Sequence, residues 1–470
     1  MITKFINRED ELRFLKRKYE EESAQLIIIY GRRRVGKTEL TKEFFKGKEH
    51  VYFLSSKIAI NEQVGQFIAS VYEALGDETI RDLKPDFETI FKYMAGTKKR
   101  LIVVIDEFPY LIDADKTIVS LFQRIWDLYL NESNIFFILT GSSIGMMENE
   151  VLGYKSPLYG RRTGQWKVEA LRFKDLRSFF PEYSVEERIR AYSILGGIPF
   201  YLQQFDDDND VSTNIKERIL TKGEILYEEP EFLLREELRE PKVYFTILKA
   251  ISYGNSKFGN IMNASGLNKS TLTRYLDILS KLHIIRRELP ITEKNPERSK
   301  KGIYKIADPF FRFWFRFVLP NVSKIEEDAE RAYDEDILPF LDQFVSFSFE
   351  DVCKEFLVEL NRQDGLPFRF TKIGSWWHRD NEIDLVALNE TTKEILFAEC
   401  KWQNKKVGIK VYDALKKKSK LVNWNNEERK EYFVLFSKAG FTPGLNPEKV
   451  LLFDLEDIDN APDDIPPINI

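Results

Sequence analysis

Residues 31–38 read Gly31-Arg32-Arg33-Arg34-Val35-Gly36-Lys37-Thr38, a complete match to the spacing G-x-x-x-x-G-K-[ST]. The flanks constrain the fold as much as the motif does. The apolar run Leu26-Ile27-Ile28-Ile29-Tyr30 comes before it, and Glu39-Leu40-Thr41-Lys42-Glu43-Phe44-Phe45 comes after. Buried strand, glycine-bent loop and helix, in that order, begin a parallel α/β sheet. The residue types suit a phosphate cradle. Gly31 and Gly36 let the backbone turn its N–H groups inward, and a helix starting near Lys37 aims its positive end at the same point. Lys37 is placed to reach the β- and γ-phosphates of ATP, and Thr38 to offer its hydroxyl to Mg²⁺. A chance match in a basic loop would not explain both flanks.

Such a loop needs a carboxylate to hold the metal. Leu101-Ile102-Val103-Val104-Ile105 reads as a strand buried on both faces, and it ends in Asp106-Glu107. Asp106 is expected to hold the Mg²⁺ shell, and Glu107 to orient or deprotonate the attacking water. Val51–Leu54 and Ile135–Leu139 are further strands of this kind. The second runs into Thr140-Gly141-Ser142-Ser143, where Thr140 or Ser142 is placed to sense the γ-phosphate; a plain turn fits equally well. Arg161 and Arg162, beside Gly160, are the candidates to stabilise charge on that phosphate, with a surface loop as the alternative.

The alternation of strand and helix predicts an ATPase core over residues 1–165, with a helix opening at Asn7–Glu11 that crosses the adenine, and a helical subdomain over 166–240. Gly196-Gly197-Ile198-Pro199 interrupts the latter, because proline cannot continue a helix. Residues 241–320 change character. Helical periodicity over Tyr244–Tyr253, Lys257–Met262 and Lys269–Leu279, followed by Ile284–Arg287 and Gly302–Ile306 around a polar segment, predicts a winged helix-turn-helix. Lys269, Ser270, Thr271 and Arg274 would face a DNA groove; an internal packing module is the other reading. The segment Asp308–Phe317 is aromatic enough for either a core or a base-stacking platform.

From residue 321 to 470 a last domain is expected. Asn381–Leu388 and Ile395–Trp402 read as two strands of a hairpin centred between Thr391 and Thr392. In that register Asp384 lies opposite Glu399, and Glu399 shares a face with Lys401. Two carboxylates and a lysine so placed suit metal-assisted phosphodiester hydrolysis, with Asp384 and Glu399 as Mg²⁺ ligands, Glu350 as a third acid and Lys401 orienting water. The alternative is a surface hairpin with ordinary charges. The lysines at 416–418 and 420 would track a phosphate backbone or form a solvated helix face.

Composition bounds the rest. The net charge of −5 supplies no global basic field, so nucleic-acid contact must be local. No apolar run reaches the roughly 18 residues of a membrane span, and the charged start argues against a signal peptide, so a cytoplasmic location is expected. Cys353 and Cys400 offer no disulfide framework, and His50, His283 and His378 no metal-ligand spacing.

Together, GRRRVGKT, the strand ending in Asp106-Glu107, Leu139–Ser143, Gly160-Arg161-Arg162 and Gly197-Ile198-Pro199 resemble the archaeal-type ATPases, a branch of the AAA-like, STAND-related P-loop ATPases. Asp308-Pro309-Phe310 and Asp384…Glu399-x-Lys401 resemble the C-terminal domain that accompanies them, which is similar to PD-(D/E)xK nucleases. Here Ile383 stands where that motif has proline. The resemblance covers nearly the whole chain. It implies an ATP-driven switch acting on DNA, with a homo-oligomer among the expected partners. Two readings without cleavage stay open: a signalling or scaffold switch, and a winged-helix transcription regulator.

Overall fold

The computed structural model describes residues 5–97, 99–238, 241–446 and 449–460. The outermost domain bounds, 1 and 470, and the 240 side of the 240/241 division lie outside them. The chain forms two compact units: 1–170 with 198–200, and 171–197 with 201–470.

The first unit is an α/β domain with a five-stranded parallel sheet. Its strands are β1 (Gln25–Tyr30), β2 (His50–Leu54), β3 (Leu101–Asp106), β4 (Ile135–Gly141) and β5 (Gly164–Lys167), in spatial order β2-β3-β4-β1-β5. Every residue of β1, β3 and β4 is buried, as unbroken apolar runs require when helices cover both faces. On one face Phe67, Phe87, Phe91, Phe122 and Phe137 form a continuous aromatic core. Helix α1 spans Glu9–Glu20 and α2 spans Lys37–Phe45, starting directly after Gly36. Because all strands run the same way, the loop after β1, the acids after β3 and the end of β4 share the C-terminal edge of the sheet.

The sequence reading missed β5. It straddles the expected 165/166 division and pairs with β1, so the first unit continues to residue 170. Four residues with partial exposure carry little apolar periodicity, which is why the strand left no signal.

In the second unit, α3 (Val185–Leu195) ends at Gly196, whose φ is +65°. Its neighbour Gly197 is fixed by packing: a Cβ there would lie 1.8 Å from the Leu171 carbonyl oxygen. Pro199, in the 198–200 piece that belongs to the first unit, opens a new short helix rather than extending the old one. Helices α4 (Pro241–Ser252), α5 (Phe258–Ser265) and α6 (Lys269–Lys281) precede the antiparallel pair β6 (Ile285–Glu288) and β7 (Ile303–Ile306). Asn268 caps α6 by accepting from Thr271 N–H at 2.9 Å. The aromatic segment after β7 is a core: Phe310, Phe311, Phe313, Trp314, Phe315 and Phe317 are all buried, so no base can stack on them.

A long helix, α7 (Leu338–Arg362), then leads into a second five-stranded sheet. Its strands are β8 (Lys372–His378), β9 (Asn381–Asn389), β10 (Glu394–Lys401), β11 (Lys430–Ser437) and β12 (Leu451–Phe453), in spatial order β12-β11-β10-β9-β8. β8, β9 and β10 are antiparallel neighbours; β11 and β12 run parallel to β10, reached through helix α8 (Ile409–Ser419). Most of the expected helical subdomain, and the described residues of the winged and nuclease-like regions, fall in this second unit. No helix among the described residues is long and apolar enough to cross a membrane.

Candidate functional site

The loop after β1 is shaped by close packing. A Cβ on Gly31 would meet the Val168 carbonyl oxygen at 2.3 Å, because Val168 N–H donates to Tyr30 O at 2.7 Å beside it. Gly36 sits at φ +93°, the left-handed region that glycine enters without strain, and α2 begins at the next residue. Lys37 is buried, and its ammonium donates to the carbonyls of Gly31 (3.1 Å) and Arg32 (2.8 Å), folding back over the loop it belongs to.

Arginines in and beside this loop are held by defined partners. Arg33 donates to the Tyr110 hydroxyl at 3.2 Å, and the Arg34 guanidinium lies 4.2 Å over the Phe200 ring. Arg8, which sequence reasoning did not single out, is buried and donates to Val35 O (3.0 Å) and Glu169 O (2.8 Å) while pairing with Glu11 at 3.1 Å. It ties the loop to both the N-terminal helix and the segment after β5. Its partners lie 27 and 161 residues away, so nothing local in the sequence announces the role.

Asp106 is fully buried at the end of β3. Its Oδ2 accepts from the Thr38 hydroxyl and from the Tyr52 hydroxyl, both at 2.7 Å. Its Oδ1 accepts from Glu107 N–H at 3.0 Å and from the Thr140 hydroxyl. Donors from β2, from β4, from the residue after β3 and from the first turn of α2 thus converge on one carboxylate. Burial first, and then the Asp106 charge, push the Tyr52 phenol well above its ordinary range, so it stays a donor. Thr38 and Asp106 supply hard oxygen atoms in mutual contact, a donor set that fits Mg²⁺.

Glu107 adopts φ +56°, and its carboxylate accepts from Ser142 N–H at 3.1 Å and from the Ser142 hydroxyl. Ser55 Oγ bridges the carbonyls of Asp106 (2.9 Å) and Glu107 (2.5 Å). Both expected phosphate sensors are therefore committed to the acid pair: Thr140 holds Asp106 and Ser142 holds Glu107.

The two arginines after Gly160 separate. Arg161 forks onto the Asp127 carboxylate with contacts of 2.8–3.0 Å and also donates to Pro157 O at 2.8 Å. Here it forms a partly exposed ion pair, the arrangement of the surface-loop alternative. Arg162 lies 5.0 Å over the Tyr159 ring, and its buried Nη1 has no hydrogen-bond partner among the described residues. Its charge opposes the rise that burial, Glu148 and Glu169 impose on the Tyr30 phenol, which places it near the residue preceding Gly31.

The second unit gathers the other expected set. The β9–β10 ladder pairs Leu385 with Ala398, so the next step in register sets Asp384 against Glu399. Asp384 Oδ2 accepts from Cys400 N–H at 2.8 Å. Burial and then the Glu399 charge push the Asp384 carboxyl up to about 6. Glu350, on α7, is pushed well above the usual carboxylate range by burial and then by Asp384. Glu399 is held by Lys401 (2.7 Å) and, from α8, by Lys418 at 3.0 and 3.1 Å. Lys418 was seen in the sequence only as one of a lysine run.

Among the described residues no three His, Cys, Asp or Glu side chains gather as metal ligands. Of the expected ligands Glu350, Asp384 and Glu399, the last is paired here with two ammonium groups, Lys401 and Lys418.

A family model described as an ATPase domain predominantly from Archaea matches residues 5–205. A second model, of archaeal and bacterial proteins of unknown function, matches residues 314–415. The uncharacterized protein MJECL04 of Methanocaldococcus jannaschii is 42% identical over 460 residues, 96% of this chain and 99% of the relative. The uncharacterized ATP-binding protein MJ0423 of the same organism is 58% identical over 48 residues, 10% of this chain and 81% of its own length. Among solved structures, the Walker-type ATPase PABY2304 of Pyrococcus abyssi superposes with a TM-score of 0.52 at 24% identity, covering 66% of this chain and 96% of that one. The match shows a shared fold.

Proposed function

The chain belongs to the family of archaeal-type ATPases, and we propose that it is a Mg²⁺-dependent ATP hydrolase whose nucleotide state governs a DNA-acting second unit. The observation that carries the first half is the meeting of Thr38 and Asp106 at 2.7 Å beside Lys37. On nucleotide entry, Lys37 exchanges the Gly31 and Arg32 carbonyls for phosphate oxygens. Thr38 and Asp106 would hold Mg²⁺, which would screen the phosphate charge. Glu107 takes a proton from the attacking water once Ser142 releases it. Arg162, not Arg161, is the arginine we assign to the developing charge.

Arg34 and Phe200 give the nucleotide state a way out of the ATPase unit. Phe200 lies in a three-residue piece, 198–200, whose chain leaves for the second unit at both ends. A shift of Arg34 toward phosphate loosens the ring beneath it and is felt at the Gly196-Gly197 break on one side and at Tyr201 on the other.

For the second unit we infer a winged-helix module formed by α4, α5, α6, β6 and β7, joined to a nuclease-like domain. The opposition of Asp384 to Glu399, with Lys401 on the same face, favours phosphodiester chemistry. The doubly held Glu399 favours the second reading, an ATP-dependent switch that binds a partner without cutting. Plasmid and oligonucleotides incubated with protein, Mg²⁺ or Mn²⁺, with and without ATP, decide between them. Cleavage lost in Asp384→Asn and Lys401→Ala, with ATP turnover intact, supports the first; no cleavage by the native protein refutes it. Retained ATP turnover in Lys37→Ala would overturn the nucleotide-site assignment itself.

A further inference from the structure

The most basic stretch of this acidic chain is residues 405–420, where seven lysines face one aspartate, Asp413, against a whole-chain net charge of −5. Lys418 turns inward to Glu399. The other six, Lys405, Lys406, Lys410, Lys416, Lys417 and Lys420, are exposed. None of the six pairs with a carboxylate among the described residues, whereas Lys372 pairs with Glu390 at 2.6 Å and Lys393 with Glu428 nearby on the same unit. Lys416 alone has a further contact, 5.9 Å over the Tyr412 ring.

Helix geometry gathers them. At about 100° per residue, Lys410, Lys417 and Lys420 fall within roughly 80° of one another, with Lys416 about 40° further round. The dipole of α8 explains lysines at its C-terminal end. It does not explain Lys405, Lys406 and Lys410, which sit before or within the first turn, where the positive helix end disfavours cations. Unpaired charge gathered against both self-repulsion and the dipole suits an anionic occupant.

We propose that this face docks the phosphodiester backbone of duplex DNA, leading it toward the Glu399–Lys401 pair that Lys418 joins to the same helix. The inference rests on the DNA-acting reading of the second unit. From Lys410 to Lys420 the face extends roughly 15 Å, the length of about four base-pair steps of one strand. Asp413 lies on the same face and opposes the contact.

The experiment measures binding of the full chain to a 20-base-pair duplex, a length of roughly two helical turns, across a salt series. Native protein, Lys410→Gln/Lys417→Gln/Lys420→Gln and Asp413→Asn are compared, with melting and ATP turnover as controls. Each lost contact should make the log K against log[salt] slope shallower by about 0.9, so by roughly 2–3 in the triple variant. Asp413→Asn should bind more tightly, a gain that misfolding does not mimic. Native binding with unchanged slopes in the triple variant and no gain in Asp413→Asn overturns this face while leaving DNA action standing. Binding to phosphatidylserine vesicles but not to duplex overturns the choice of partner. Binding to neither overturns this proposal and the DNA-acting reading together.

Discussion

Tyr52→Phe tests whether the buried Asp106 depends on donors gathered from several strands. The substitution deletes one hydroxyl and keeps the ring, which packs 5.9 Å from Phe45, so it opens little space. What is lost is a 2.7 Å hydrogen bond to a fully buried carboxylate. A hydrogen bond to a charged group contributes about 1.5–3 kcal/mol, and Tyr52 is only half-buried, so about 2 kcal/mol is expected. For a unit of this size each kcal/mol moves the melting point by roughly 2–4 °C, giving about 4–8 °C in the transition of the ATPase unit. The Asp106→Asn background separates charge from packing. There the same substitution should cost about 1 kcal/mol, because a neutral acceptor gains less from the phenol. ATP turnover should persist in Tyr52→Phe, since Thr38 still holds Oδ2. A melting point within 1 °C of native, or an equal cost in both backgrounds, would refute the claim that the phenol stabilises the Asp106 charge; 1 °C lies well under the roughly 4 °C expected.

Further outcomes follow from the same contacts. Arg161→Ala should leave ATP turnover unchanged and cost at most about 1 kcal/mol, being a partly exposed pair with Asp127, while Arg162→Ala should lower kcat at least ~10-fold; steady-state kinetics separate them. Glu355 accepts from Tyr192 OH (2.7 Å) and Phe173 N–H (2.8 Å), yet burial raises its carboxyl to about 6. A raised acid binds its proton more tightly when folded, so its favourable contribution is full below the unfolded value of about 4.5 and is lost as pH climbs through 6, about 2 kcal/mol in all. Denaturant midpoints should show that loss in native protein and not in Glu355→Gln. Phe200→Ala should leave nucleotide binding intact, measured by fluorescent-ATP titration, while removing any ATP dependence of DNA binding.

What the sequence disclosed follows from the range of its signals. The strands β1, β3 and β4 were legible because burial on both faces forces unbroken apolar runs, and the phosphate loop because its chemistry is packed into eight adjacent residues. Opposition of Asp384 to Glu399 was legible because a hairpin's register follows from the position of its turn. Side-chain partnership is a different kind of fact. Tyr52 meets Asp106 from 54 residues away, and only because β2 lies beside β3 in the sheet. Thr140 and Ser142 stood at the right strand end for phosphate sensing, but β4 lies next to β3, so their hydroxyls meet the neighbouring acids. Arg161 and Arg162 were indistinguishable as adjacent letters; one residue of backbone turn sends the first to Asp127 and leaves the second over the Tyr159 ring. Local pattern therefore identifies which groups stand at the sheet's edge, and strand order decides which of them hold one another. For Glu107 this distinction bears on the proposed mechanism: if its carboxylate is the base, its tether to Ser142 makes release of that hydroxyl a condition for acting as one.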